Sequence, residues 1–111
     1  MEESKFRQAV ASALSALAAD VDRIESDDVD YKLSDGVFTV EFESGGVFVL
    51  SQQVPVRELW LSAFSRAWHF RYADGGWTER DDGEPLETVL SGLFQRKLGM
   101  AVTIRNPGGA A

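Results

Sequence analysis

Between Asp20 and Asp30 the chain sets six carboxylates, Asp20, Asp22, Glu25, Asp27, Asp28 and Asp30, against one cation, Arg23. Clustered carboxylate oxygens without thiolate ligands suit hard cations such as Mn2+, Ca2+, Fe2+ or Fe3+. Held on ordered elements, so many like charges repel one another, and an incoming cation or basic protein surface relieves that repulsion. No EF-hand spacing is present, so carboxylate ligation here would be open and weak. The competing reading is a solvated acidic face that opposes aggregation.

Two other side chains could do chemistry or binding. In Arg57 to Ser62, strand alternation turns Leu59 and Leu61 inward and leaves Trp60 outward with Glu58 and Ser62. An exposed tryptophan on a polar sheet face is a favoured anchor for a protein partner. The plainer reading is that a long neighbour, Gln53 or Arg71, covers it. His69 is the only histidine, so it cannot build a histidine-rich site, and an exposed sheet histidine is usually solvated. Asp81, Asp82, Glu84 and Glu87 form a second acidic cluster, which turn chemistry and the charge preference of a helix N-terminus explain. No Ser-His-Asp set or phosphate-cradling glycine loop appears, and Gly45-Gly46 and Gly75-Gly76 read as turns. An enzyme is not expected.

The elements that position these groups follow from periodicity. Phe6, Val10, Leu14, Leu17, Val21 and Ile24 recur at helical spacing, predicting a helix from about Ser4 to Ile24. The period then drops to two. Short strands are expected at Asp30 to Leu33, Val37 to Glu43 and Val47 to Ser51, with turns at Ser34-Asp35-Gly36 and Ser44-Gly45-Gly46. After a break at Pro55 come strands at Arg57 to Ser62, Trp68 to Tyr72 and from Trp77. Pro85 suits the first position of a second helix with Leu86, Val89, Leu90, Leu93, Phe94 and Leu98 inward, which Gly99 closes. Val102 to Arg105 is expected to add a last short strand. Two amphipathic helices flanking an antiparallel meander must pack on one sheet face, giving an α+β two-layer sandwich. Residues 1–105 form one domain in this reading, and 106–111 a flexible tail.

Composition bounds the partners. A net charge of −7 disfavours nucleic acid, because the phosphate backbone would be repelled. The absence of cysteine removes disulfides, thiolate metal sites and thiol catalysis. The acidic start, Met1-Glu2-Glu3, lacks a secretory or transit pattern, and no window is long enough to span a membrane. A cytoplasmic monomer is the simplest expectation.

Asp28-Val29-Asp30, then Gly36-Val37-Phe38-Thr39-Val40-Glu41-Phe42-Glu43, then Gln53-Val54-Pro55 leading to Leu59-Trp60-Leu61-Ser62, then His69-Phe70, resemble the frataxin family in its short bacterial CyaY-type form. Trp77, the Asp82-Gly83 turn and the second helix continue in the same order, whereas the first helix matches only in length and pattern. The resemblance implies an iron-binding protein of iron–sulfur cluster assembly. Its ridge, here Asp20, Asp22, Glu25, Asp27, Asp28 and Asp30 with Glu41 and Glu43 on the outer sheet face, would bind Fe2+ or Fe3+ weakly. The same ridge would dock on a basic surface of the cysteine desulfurase, with Trp60 and Gln53 facing the desulfurase–scaffold assembly and His69 as auxiliary. A metal-independent acidic adaptor for a basic partner is the alternative. The chain departs from the family pattern at Ala18, Ala19, Arg23 and Lys32, which dilute the ridge. It departs again at Ser51-Gln52, and at Phe64-Ser65-Arg66-Ala67, which is bulkier and more basic than the usual Gly-rich segment.

Overall fold

The computed structural model describes residues 1–105; the tail expected over 106–111 lies outside them. The first apolar stripe winds into α1 (Glu3–Asp22), which buries Phe6, Val10, Ala13, Leu14, Leu17 and Val21. No glycine or proline interrupts it, and its alanines favour the helical state. Six strands follow: β1 (Val29–Ser34), β2 (Val37–Phe42), β3 (Val47–Gln53), β4 (Glu58–Ala63), β5 (Arg66–Ala73) and β6 (Gly76–Glu79). They form one antiparallel meander in chain order. A 3-10 turn (Val54–Val56) carries Pro55 between β3 and β4. Helix α2 (Leu86–Leu98) completes the second layer, burying Leu86, Val89, Leu90, Leu93 and Phe94. The two-layer α+β sandwich predicted from patterning is the observed fold.

Alternation sets the sheet faces. Phe38, Val40 and Phe42 on β2, Phe48 and Leu50 on β3, and Leu59 and Leu61 on β4 are all buried beneath the helices. Aromatic rings lock the layers: Phe6 meets Trp77 edge-on at 6.0 Å, and Phe48 meets Phe94 at 5.2 Å. The β1–β2 turn has positive φ at both Asp35 and Gly36, the hairpin geometry whose twist matches its strands. A Cβ at Gly36 would sit 2.2 Å from the Gln52 side chain, which would have to swing aside, so it is the positive φ that favours glycine there.

Three expectations need correction. Pro85 is the N-cap of α2, extended at φ −65° and ψ 142°, because it forms a bridge to Thr78 of β6 before the helix begins. Val102 to Arg105 pairs with no strand among the described residues. Its backbone is satisfied by side chains instead: Gln95 donates to the Val102 carbonyl at 2.9 Å, and Ser91 Oγ accepts from the Ile104 N–H at 2.9 Å. Val102 and Ile104 bury their side chains, which explains their strand-like alternation. Glu58 lies on the outer sheet face as alternation requires, yet it is only 1% exposed rather than solvated. No described helix is long and apolar enough to cross a membrane.

Candidate functional site

Helix α1 ends at Asp22 without a basic residue in its last turn. The helix dipole is negative at that end, so Asp20 and Asp22 add to an already negative field. The chain then enters β1, whose Asp30 lies directly opposite Glu41 of β2. Like charges in a directly opposed cross-strand pair repel. Asp27, Asp28, Asp30, Glu41 and Glu43 line one open hollow of about 410 Å3. Three residues of the predicted ridge thus meet the two predicted sheet acids.

The remaining ridge residues go elsewhere. Asp20 is 7% exposed and turned inward; its Oδ1 pairs with Arg23 at 2.7 Å, and its Oδ2 accepts the Arg105 N–H at 3.0 Å. It is a latch between α1 and the C-terminal segment, which corrects its expected place on the open ridge. Glu25 borders a separate hollow with Asp20, Arg23 and Met100 to Thr103. Asp22 accepts the Tyr31 hydroxyl proton at 3.0 Å, and that bond raises the Tyr31 phenol above its ordinary pKa.

Within the main hollow the carboxylates are held differently. Asp28 accepts from the Ser44 hydroxyl at 2.7 Å and the Ser44 N–H at 2.6 Å. These two bonds, the hydroxyl first, lower its pKa and keep it anionic. Asp30 accepts the Tyr31 N–H at 2.8 Å. Glu41 is 3.2 Å from Lys32 Nζ, so the departure at Lys32 does neutralise part of the ridge. No salt bridge reaches Asp27, Asp28, Asp30 or Glu43 among the described residues. Neither do three or more Asp, Glu or His side chains there converge tightly enough to enclose a metal ion. The donor set fits a hydrated cation, or a lysine or arginine head group, held by electrostatics. It does not fit a closed coordination sphere.

The second candidate region lies two strands away on the same face. Glu41 pairs with Val47 of β3 and Trp60 with Ser51, four residues further along that strand. At the usual strand rise this separates them by roughly 13 Å along the sheet. Trp60 is 37% exposed, and His69, its partner on β5, meets its ring edge-on at 4.8 Å. Gln53 donates to Ser51 Oγ at 3.2 Å, and Arg71 pairs with Glu58. The principal ring contact is therefore His69, and the structure does not bring this histidine to the acidic hollow.

Two buried carboxylates escaped sequence reading. Glu58 Oε1 accepts from Trp60 Nε1 at 2.9 Å and Arg80 Nη1 at 3.1 Å, while Oε2 accepts from Arg71 Nε at 2.9 Å. Burial pushes its pKa up, but the bonds from Trp60 and Arg71 and the charges of Arg80 and Arg71 outweigh that, and the net shift is downward. Glu79, on the inward phase with Trp77, accepts the N–H groups of Asp81, Asp82 and His69. Burial again opposes and these bonds prevail, leaving its pKa lowered. A recognised two-residue β4–β5 turn would have pointed to the first. With Leu59 opposite Phe70, Glu58 falls level with Arg71.

Comparison with known proteins agrees with this fold. A family model described as a frataxin-like domain matches residues 1–100. The iron–sulfur cluster assembly protein CyaY of Vibrio cholerae (strain ATCC 39541) is 38% identical over 90 residues, covering 81% of this chain and 86% of that protein. The protein of the same name from Paraburkholderia phymatum is 30% identical over 104 residues, covering 94% and 98%. The solved frataxin from Psychromonas ingrahamii superposes with a TM-score of 0.88 at 24% identity, covering 96% of this chain and all of that one, which speaks to the fold. With the six-strand meander under two helices, the acidic edge and matches over nearly its whole described length, the chain belongs to the frataxin family in its bacterial CyaY form.

Proposed function

We propose that this protein is a non-enzymatic, cytoplasmic component of iron–sulfur cluster assembly that carries iron weakly at its acidic hollow and docks there on a basic face of the cysteine desulfurase. The observation that carries this reading is the convergence of Asp27, Asp28, Asp30, Glu41 and Glu43 on one hollow beside the negative end of α1. Its relatives' names place them in cluster assembly, and the exposed Trp60 supplies an aromatic contact for the desulfurase–scaffold assembly. Iron is cargo here, held through its water shell. Titration of Fe2+ under anaerobic conditions, or of Co2+, into labelled protein should shift amides of Asp22 to Asp30 and Glu41 to Glu43 and spare α2. Uniform or absent shifts would remove metal from this account.

One observation favours the metal-independent adaptor as a second reading: no described group of three acids or histidines encloses an ion. The two readings separate in chelator-treated buffer. An adaptor binds the desulfurase there undiminished, loses binding in Asp27→Asn/Asp28→Asn/Asp30→Asn, and weakens steeply with salt. An iron donor delivers its cation only without chelator. We take the protein as a monomer, which sedimentation with and without iron checks directly.

A further inference from the structure

Glu58 is a buried acid that iron carriage does not use. Surrounding it with one indole N–H and two guanidinium groups satisfies both its oxygens, at 2.9 to 3.1 Å for the shortest bond from each donor. A carboxylate 1% exposed on the solvent face of a sheet is costly unless so paired. The consequence for its neighbours is geometric. The indole N–H of Trp60 is tied down onto the sheet, His69 packs against its ring in a T-shaped contact, and the residue keeps 37% of its surface exposed. Among the described residues Arg71 is tethered through Nε alone, and its side chain stays well exposed, so its outer nitrogens remain available. Arg80 shares the same acid and also approaches Asp81 at 3.8 Å.

We infer that Glu58 is the positioning residue of the Trp60 surface: one buried carboxylate fixes the outward ring and the adjoining Arg71 as a preformed aromatic–cation pair for the protein partner. This rests on the reading of Trp60 as a partner contact given above. Preorganisation is what the arrangement supplies, since an untethered tryptophan and arginine would both lose rotamer freedom on binding.

The test has a free-protein arm and a binding arm. In the free protein the Trp60 indole resonance, assigned by its loss in Trp60→Phe, should move upfield and exchange faster in Glu58→Met. Glu58→Gln keeps an acceptor for the indole and should restore the resonance. For binding, Glu58→Met should weaken affinity for the desulfurase–scaffold complex about tenfold, with most of that loss absent in a Trp60→Ala background and recovered by Glu58→Gln. Melting curves confirm that each variant is folded at the assay temperature; should Glu58→Met not fold, Glu58→Met/Arg80→Met, which also removes a guanidinium that the lost carboxylate would leave unpaired, carries the same cycle. An unchanged indole resonance, or an affinity loss equally large without Trp60, overturns the positioning role while leaving the partner reading intact. If Trp60→Ala alone binds normally, the partner reading itself fails, and the positioning role falls with it.

Discussion

Asp20 and Asp28 belong to one acidic run in the sequence, but their surroundings give them opposite roles. Asp20 is buried where it joins the exposed Arg23 guanidinium and the Arg105 amide, so removing it leaves that cation unpaired and a backbone donor without its acceptor. Asp20→Ala should lower stability by about 1–3 kcal/mol, read by denaturant melts, and leave cation titration at the hollow unchanged. Repulsion along the ridge suggests that reversing charge at Asp28 would stabilise the free protein. The two bonds from Ser44 point the other way, and Asp28→Lys should lower the melting temperature. Asp30 is the better site for relief: it faces Glu41 directly, so Asp30→Lys should raise stability by roughly 0.2–1 kcal/mol while weakening partner binding. Acid dependence follows from Glu58 and Glu79, both with lowered pKa in the fold. Their contribution is complete above the ordinary glutamate range and is lost as pH falls through the folded values. Stability of Glu58→Gln should therefore vary less with pH in that acid window than stability of the parent.

At the scale of elements, the β4–β5 hairpin departs most from local preference. Phe64 and Ser65 both take positive φ, at 49° and 59°, with no glycine to ease them. Phe64 is held by tertiary contacts: its ring lies 5.6 Å from Phe48, and the Arg96 guanidinium sits 3.9 Å above it. Ser65 is exposed and has no such compensation. Ser65→Gly should stabilise by about 1 kcal/mol, visible as a rise of a few degrees in Tm. An unchanged or lowered Tm would mean that the strain is absorbed elsewhere. This hairpin also marks where sequence reading stops. Helix and strand periods around Phe6 to Val21 and Val37 to Leu50 were legible, because each depends on a single amphipathic surface. Register was less so. Without the two-residue turn, nothing local sets Glu58 opposite Arg71, and alternation gives only a side chain's face, not what covers it. Val102 to Ile104 looked like a strand for the same reason, since alternating burial against helices and against a sheet leaves one pattern. The ridge was legible as a density of charge, but the inward turn of Asp20 depends on the Arg105 amide, 85 residues away.

Over the whole molecule the charges are sorted. Acids gather at the β1–β2 edge and the end of α1, while Arg71 and Arg80 lie across β5 and the end of β6 around their shared glutamate. A net charge of −7 on so small a protein makes the compact state repel itself, most strongly where α1 meets the sheet. Any cation that occupies the hollow in the folded state alone must then raise stability by mass action. At a free concentration ten times Kd the gain is about 1.4 kcal/mol, enough to move Tm by several degrees in a domain this size. Simple screening also relieves repulsion, so the comparison has to be made at constant ionic strength. With NaCl replaced stepwise by Fe2+ or Co2+, Tm should climb and saturate in the parent. It should stay flat in Asp27→Asn/Asp28→Asn/Asp30→Asn. Equal responses in both proteins would trace the stabilisation to diffuse charge, because only occupation of the hollow depends on those three carboxylates.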